Sequence, residues 1–374
     1  MLSSLKPLYG GPTARTAAAT DQGLHDFAAR LRRAPGGGRI VESRPNPLFD
    51  TLRRRIGDPQ AYERVVQKLK NYEKYFKAGG PVQRHLVTRY PGDVVRAIES
   101  MRIYSNMPAH KARRMAFTRR LTTMDDDTYT PEVNQAVLGN AQCLARTNAE
   151  CVLPGNQVSL EMRSPFMRDD GKVVRPVILS VSAPDLGSPD QPEWPHYVNS
   201  DNRLREAPYR YSLETLWGHI FRSSAQHPDH RVVLSAFGME NFIKGLPPKE
   251  KGRARAIGAD VFARSIKELQ HRGIDVAFSD IEENGPFWTD VNRLLPEGSA
   301  IRWVGALPGR WMRNKDITVN SWDPIALVGN GCRIDNSFDG WLGRSSATSE
   351  SDALACILYY EGVLGEVANI PVQR

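Results

Sequence analysis

Cysteine is scarce in these 374 residues: Cys143, Cys151, Cys332 and Cys356 form no Cys-x-x-Cys pair, and none has a histidine at zinc spacing. That pattern excludes a disulfide framework and a structural zinc centre, and it fits a reducing compartment. No run of about eighteen apolar residues occurs, so no membrane-spanning helix is expected. Met1-Leu-Ser-Ser-Leu-Lys6 offers no basic stretch followed by an apolar one, so no cleavable secretory signal is expected. Two nucleotide-binding loops are missing as well. There is no Gly-x-Gly-x-x-Gly after a strand and no Gly-x-x-x-x-Gly-Lys-Ser/Thr. No Gly-x-Ser-x-Gly elbow exists, which argues against a serine hydrolase of the α/β type. No cofactor and no metal is expected.

What is present is an ordinary globular composition, 40% apolar and 25% charged, long enough for a large core and more than one domain. The net charge of +8 is unevenly placed. Residues 1–120 carry 24 Lys and Arg against 9 Asp and Glu, and the remainder carries 26 against 33. Clusters such as Arg53-Arg54-Arg55 and Arg113-Arg114 could meet nucleic acid, an acidic protein or anionic lipid, or simply form a solvated helical face. Without a recognition motif beside the charge, nucleic acid ranks last among the partners.

Residues 1–45 are rich in Ala, Gly, Ser, Thr and Arg and read as a disordered leader. Over 46–150 the spacing of Tyr62, Val65, Val66, Leu69, Tyr72 and Phe76 predicts a basic helical module, its helix stopped at Gly79-Gly80-Pro81. Beyond residue 150 the texture changes. Val173 to Ser182 reads as one nearly continuous buried strand. Leu213, Leu216, Trp217, Ile220 and Phe221 form a helical stripe, and Arg231 to Gly238 a second short strand. A helix carrying Ile257, Val261, Phe262, Ile266 and Leu269 follows, then strands at 274–278, 301–304 and 317–319. Strands alternating with helices predict an α/β layered domain over 151–374.

Polar, glycine-bearing segments fall at three of the strand ends: Ala183-Pro184-Asp185, Gly238-Met239-Glu240-Asn241-Phe242, and the stretch from Asn320 to Arg344. Ligands of such sheets bind at the carboxyl ends of strands. In the last stretch Gly329-Asn330-Gly331 and Gly340 can turn backbone N–H groups toward an anion. Phe338 to Ala347 reads as the start of a helix, with Asp335 and Asp339 at its N-terminal end, where either could merely cap it. Phe242 and Trp322 could equally be core aromatics, and Glu240 plain surface. His227-Pro228-Asp229-His230 lies in a proline turn, so two loop histidines are expected rather than a ligand pair.

Thr318-Val319-Asn320-Ser321-Trp322-Asp323, followed by Ser337-Phe338-Asp339-Gly340-Trp341-Leu342-Gly343-Arg344, resembles the ADP-ribose-binding signature of macrodomains. In that family a strand ends in Val-Asn-Ala-Ala-Asn and a glycine-rich loop enters a helix as Gly-Val-Asp-Gly-Ala-Ile. Val232 to Phe242 is similar to the second phosphate loop of the poly-ADP-ribose glycohydrolase branch. The elements occur in reversed order, as in a divergent or circularly permuted member. The chain looks most like the permuted domains of bacterial effectors that act on ADP-ribosylated ubiquitin. Where the family has a glycine triplet, this chain has Asp335-Asn336-Ser337.

The resemblance implies a three-layer macrodomain-like α/β sandwich with a mixed central sheet, preceded by the small helical module. It implies a hydrolase that removes ADP-ribose from a modified protein, ubiquitin among the carriers. Water would attack the anomeric carbon of the distal ribose with help from Asp323, Asp335 or Asp339. Asn320, Gly329, Asn330, Gly331, Asn336, Ser337 and Gly340 would line the ligand, with Gly238, Met239, Glu240, Asn241 and Phe242 as the second phosphate loop. Asp185 or Asp316 would receive the adenine. A non-catalytic ADP-ribose-binding module is the alternative, and a basic nucleic-acid-binding protein the next. A monomer is expected, in a bacterial cytoplasm or exported into a host cytoplasm as an effector.

Overall fold

The structure, a computed structural model, describes residues 47–70, 93–118, 153–322 and 338–374. The chain runs through α1 (Pro47–Ile56), α2 (Pro59–Leu69), α3 (Asp93–Glu99), β1 (Arg102–Tyr104) and α4 (Ala109–Phe117). It continues as β2 (Ser159–Arg163), β3 (Phe166–Met167), β4 (Val173–Val174), β5 (Val177–Ser182), α5 (Trp194–Tyr197), α6 (Glu206–Gln226) and β6 (Arg231–Leu234). A short 3₁₀ turn (Glu240–Ile243) leads to α7 (Pro248–His271), β7 (Val276–Phe278), α8 (Pro286–Leu294), β8 (Arg302–Trp303), α9 (Pro308–Trp311) and β9 (Asp316–Trp322). The C-terminal part holds α10 (Phe338–Ser345), α11 (Thr348–Tyr360), α12 (Leu364–Val367) and β10 (Val372–Gln373).

Eight strands form one mixed sheet in the order β10-β1-β2-β5-β9-β6-β7-β8. β2 is antiparallel to β1 and β5, whereas β5, β9, β6, β7 and β8 run parallel. All six residues of β5 are buried. That follows from its Val-Ile-Leu-Ser-Val-Ser sequence, since a central parallel strand is covered on both faces and reads as an apolar run rather than an alternation. One face packs against the long helices α6 and α7 through Leu179, Val181, Val232, Leu234, Trp217 and Phe262. The other carries α9 and α10 through Ile178, Val233, Trp311 and Leu342, and α3, α4 and α11 through Leu160, Ile98, Met115 and Leu354. The result is a three-layer α/β sandwich with a mixed central sheet, within the α/β layered class that the alternating pattern predicts.

Two sequence expectations change. The continuous strand from Val173 to Ser182 is broken at Arg175-Pro176, and Val173–Val174 pairs instead with Phe166–Met167 in a separate ribbon. Pro176 has no N–H for a ladder bond, and the Arg175 N–H is taken by the Asn314 side chain at 2.7 Å. Residues 46–374 pack as one compact unit, so the described structure has no separation at residue 150. The region expected to be wholly helical supplies β1 to the main sheet, and Leu52, Val65 and Leu69 share a core with Leu160, Trp322 and Ile357. The helix predicted around Tyr62 is α2, started by Asp58, whose carboxylate accepts the N–H groups of Gln60 and Ala61. Tyr72, Phe76, Gly79-Gly80-Pro81 and the 1–45 leader lie outside the described residues.

Basic charge near the N-terminus is partly spent within the fold. Arg64 binds Glu366 through two nitrogens at 2.8 and 2.9 Å, Arg55 binds Glu99 at 2.6 Å and Lys68 lies 3.7 Å from Glu361. These pairs tie α1 and α2 to α3, α11 and α12, which leaves less charge for an anionic partner. No helix among the described residues is long and apolar enough to cross a membrane.

Candidate functional site

The chain order around β9 creates a switch point. β5 leads through α6 to β6, which skips one position, and β9 later fills that gap. The helices after β5 and β6 pack on one face of the sheet, while α10, which follows β9, packs on the other. Where neighbouring connections leave to opposite faces, a crevice opens outside the carboxyl ends of the strands. Here that place lies between the ends of β5, β9 and β6.

Two loops wall this rim, and they are fitted to each other. The Leu186 N–H donates to the Phe242 carbonyl at 2.6 Å, and the Gly245 N–H donates to the Leu186 carbonyl at 3.1 Å. A Cβ on Gly187 would lie 2.9 Å from the Asn241 carbonyl, so only glycine permits the approach. The β6 loop is locally unusual. Gly238 has φ +76° and Glu240, a non-glycine residue, has φ +48°. A left-handed non-glycine residue costs about 1–3 kcal/mol and is concentrated at functional sites. The N–H groups of Gly238, Glu240 and Asn241 have no acceptor among the described residues. Three unspent donors on one turn make a concavity suited to an anion.

A polar patch interrupts the apolar sheet beneath the rim. Asn320 stands opposite Ser180 and Thr318 opposite both Ile178 and Val233, so alternation puts Ser180, Ser182, Ser235, Thr318 and Asn320 on one face. Asn320 donates to Ser180 Oγ at 3.4 Å, and Ser182 donates to the Val158 carbonyl at 2.8 Å. The buried hydroxyls of Ser235 and Thr318 have no partner among the described residues. An unsatisfied buried polar atom is costly, on the order of 1–3 kcal/mol, so these mark unspent hydrogen-bonding capacity just after β6 and within β9.

The expected site residues separate into groups. Asn320 is buried near the end of β9, and Gly238, Glu240, Asn241 and Phe242 lie on the β6 loop. The Met239 side chain belongs to the core against Gly258 of α7 and cannot face a ligand. Phe242 is half-buried against the same core. Asp185 sits on the β5 loop; its carboxylate accepts from the Gly187 N–H and the Gln191 amide, both at 2.8 Å. Burial holds the Asp185 carboxyl above the usual carboxylate range, against the Gly187 bond and the charge of Lys244. Asp339 and Gly340 fall on α10, which forms where a helix was expected. Asp323, Gly329, Asn330, Gly331, Asp335, Asn336 and Ser337 lie outside the described residues.

Asp316 must be reassigned. It begins β9 at the opposite edge of the sheet and is fully engaged by Arg231, at 3.1 and 2.9 Å, and by the Arg313 N–H at 2.9 Å. It cannot receive an adenine at the carboxyl ends. His227 and His230 lie in the turn between α6 and β6, as expected, and are buried members of a network. His227 Nε2–H donates to Glu161, and His230 Nδ1–H donates to Asp229. Arg163 lies 3.5 and 3.3 Å from their remaining nitrogens. Glu161 also accepts from Arg102, Tyr104 and Ser223. Burial would raise the Glu161 carboxyl, but the bonds from His227, Ser223 and Tyr104 outweigh it and hold it below the usual range. A shallow groove at the start of β7, lined by Lys267, His271 and Asp275, also lies away from the candidate rim.

Several polar residues escaped the sequence reading. Ser180, Ser182 and Ser235 look like ordinary strand residues until register puts them on one face. Glu350 and Asp352 are buried in the first turns of α11. No signal short of the packing of α10 and α11 marks them as interior. Asp280, on the β7 loop, accepts from the Ile281 N–H at 2.6 Å and from Trp288 Nε1 at 2.8 Å. No group of three His, Cys, Asp or Glu among the described residues could hold a metal ion. Compared with protein-family models and with curated proteins, the sequence matches none.

Proposed function

We propose that this protein hydrolyses the bond between ADP-ribose and a modified protein, with ubiquitin as the carrier, and that it is a divergent, permuted relative of macrodomains. The observation that carries the reading is the pair of interlocked loops at the β5–β9–β6 switch point, one offering three backbone N–H groups with no acceptor among the described residues. A diphosphate suits such donors, because fixed N–H dipoles stabilise it without requiring a cation. Asp323 follows Trp322, the last residue of β9, in sequence, and we assign its carboxylate the role of base toward a ligand on that rim. There it would take a proton from water attacking the anomeric carbon, while nearby negative charge favours the developing oxocarbenium. The leaving oxygen or nitrogen of the carrier departs with the electron pair of the broken bond and is protonated.

The test is release of ADP-ribose from mono-ADP-ribosylated ubiquitin by the full chain and by Asp323→Ala and Asp339→Ala. Loss of about a thousandfold or more in at least one variant, with an unchanged circular dichroism spectrum, is expected for removal of a general base acting with its neighbours. Full activity in both variants would remove these aspartates from the mechanism. Calorimetric binding of ADP-ribose without release by the unmodified chain would leave a binding module in place of an enzyme.

A further inference from the structure

Ile281 is the most exposed large apolar side chain among the described residues, at 74%. Single exposed apolar residues are common and need no explanation, but this one is mounted. The Asp280 carboxylate holds the Ile281 N–H at 2.6 Å and Trp288 Nε1 at 2.8 Å, and the Asp280 carbonyl accepts from Trp303 Nε1 at 3.0 Å. Ser279 just before it donates to the Leu234 and Gly305 carbonyls at 2.9 and 2.8 Å. The loop is therefore fixed to β6, β8 and α8 while its isoleucine points to solvent. A pre-ordered side chain loses little entropy on binding, which is how anchor residues reach high affinity.

Charge defines what such an anchor would meet. Glu282 and Glu283 follow it, both exposed and without a basic partner among the described residues. The loop leaves the carboxyl end of β7, the same edge of the sheet as the β6 loop. A Cβ on Gly258 would lie 3.4 Å from Phe287 and against the Met239 side chain, so the β6 loop and the first turn of α8, which follows the β7 loop, meet over one point of α7.

We propose that Ile281, Glu282 and Glu283 dock the protein part of the substrate, on a face that offers an apolar patch ringed by Lys or Arg. The inference rests on the proposed reading for the identity of the carrier and for placing its modified residue at the neighbouring rim. The test uses the full chain, Ile281→Ser and the double variant Glu282→Lys/Glu283→Lys. Each is titrated separately with unmodified ubiquitin and with free ADP-ribose, neither of which turns over. The wild-type chain should bind ubiquitin, both variants should weaken that binding by about tenfold or more, and ADP-ribose affinity should stay within about twofold. Ile281→Leu should restore ubiquitin binding. If ADP-ribose fails to bind while ubiquitin binds through Ile281, the ADP-ribose reading falls and the docking surface stands. Ubiquitin that does not bind, or binds all variants equally, overturns the docking surface. So does sedimentation showing a dimer that Ile281→Ser dissociates, because the occupant would then be a second copy of the chain.

Discussion

The two edges of the central sheet are built from similar residues and are used differently. At the amino ends of the parallel strands, Arg231, Asp316, Arg163, His227 and His230, with Glu161 beside them, answer one another donor for acceptor. At the carboxyl ends, among the described residues, the N–H groups of Gly238, Glu240 and Asn241 have no acceptor and the hydroxyl of Ser235 has no partner. Counting polar residues would rank the amino edge first, since it has more charge and two histidines. Counting unspent hydrogen bonds reverses the ranking. A saturated network has nothing left to offer a ligand, whereas an unsaturated one is costly until something binds. Charge marks structure at the amino edge, and incomplete satisfaction among the described residues sets the carboxyl edge apart.

The strongest way to break that contrast is to damage the saturated edge and look for an effect on binding. Arg231 and Asp316 are 7% and 1% exposed, so Asp316→Ala leaves a buried guanidinium without its carboxylate. Breaking such a pair costs roughly 3–5 kcal/mol, readable as a lower urea midpoint at constant slope. The affinity of the remaining folded protein for ADP-ribose should stay within about twofold, because sites far apart with no shared partner act independently. A tenfold loss of affinity would mean that the two edges are coupled.

How far the sequence foretold this contrast depends on which interactions are local. α6 and α7 were legible, because Leu213, Leu216, Trp217 and Ile220, and likewise Ile257, Val261 and Phe262, repeat at helical spacing within one segment. The glycine at 238 was legible as a turn for the same reason. Asp316 was misjudged because its partner is 85 residues away, and which end of the sheet it occupies follows from strand order rather than from its neighbours. β1 was missed because three residues inside a helical stretch carry too little pattern to register. The polar patch was invisible because Ser180, Ser235 and Asn320 become neighbours only through β9 being inserted between β5 and β6.

His219 sharpens the contrast from inside the core. Its Nδ1 lies 2.7 Å from Ser159 Oγ, and its Nε2 is buried with no partner among the described residues, so it is half-satisfied yet sealed from any ligand. Burial, helped by the charge of Arg222, pulls its pKa down to about 3. The folded state therefore keeps the ring neutral while the unfolded chain takes up a proton below about 6.5. The contribution to stability is intact above that pH and is lost as pH falls from about 6.5 toward 3. At about 1.4 kcal/mol per pH unit, roughly 2 kcal/mol should disappear between pH 6.5 and pH 5. Urea titrations of the wild-type chain and His219→Gln at both pH values check this. The variant should lose less over the interval, and an equal loss in both would assign the acid sensitivity elsewhere.

The smallest change in stability should accompany a clear change in binding, and Gly238 is where to look. Its φ of +76° disfavours any side chain, and an added Cβ would stand 3.2 Å from both Ala183 and Leu213. Gly238→Ala must therefore strain the turn or shift the β6 loop against the β5 loop, at a cost of about 1–2 kcal/mol. That is below the loss expected for Asp316→Ala, yet it moves the backbone whose three N–H groups have no acceptor among the described residues. ADP-ribose affinity should fall by about tenfold or more, since hydrogen bonds to a charged group are worth roughly 1.5–3 kcal/mol each and depend steeply on geometry. Calorimetry on folded Gly238→Ala decides the matter. Unchanged affinity would mean that the diphosphate is held by groups other than this loop, and the weight of the proposed site would shift from β6 to β9.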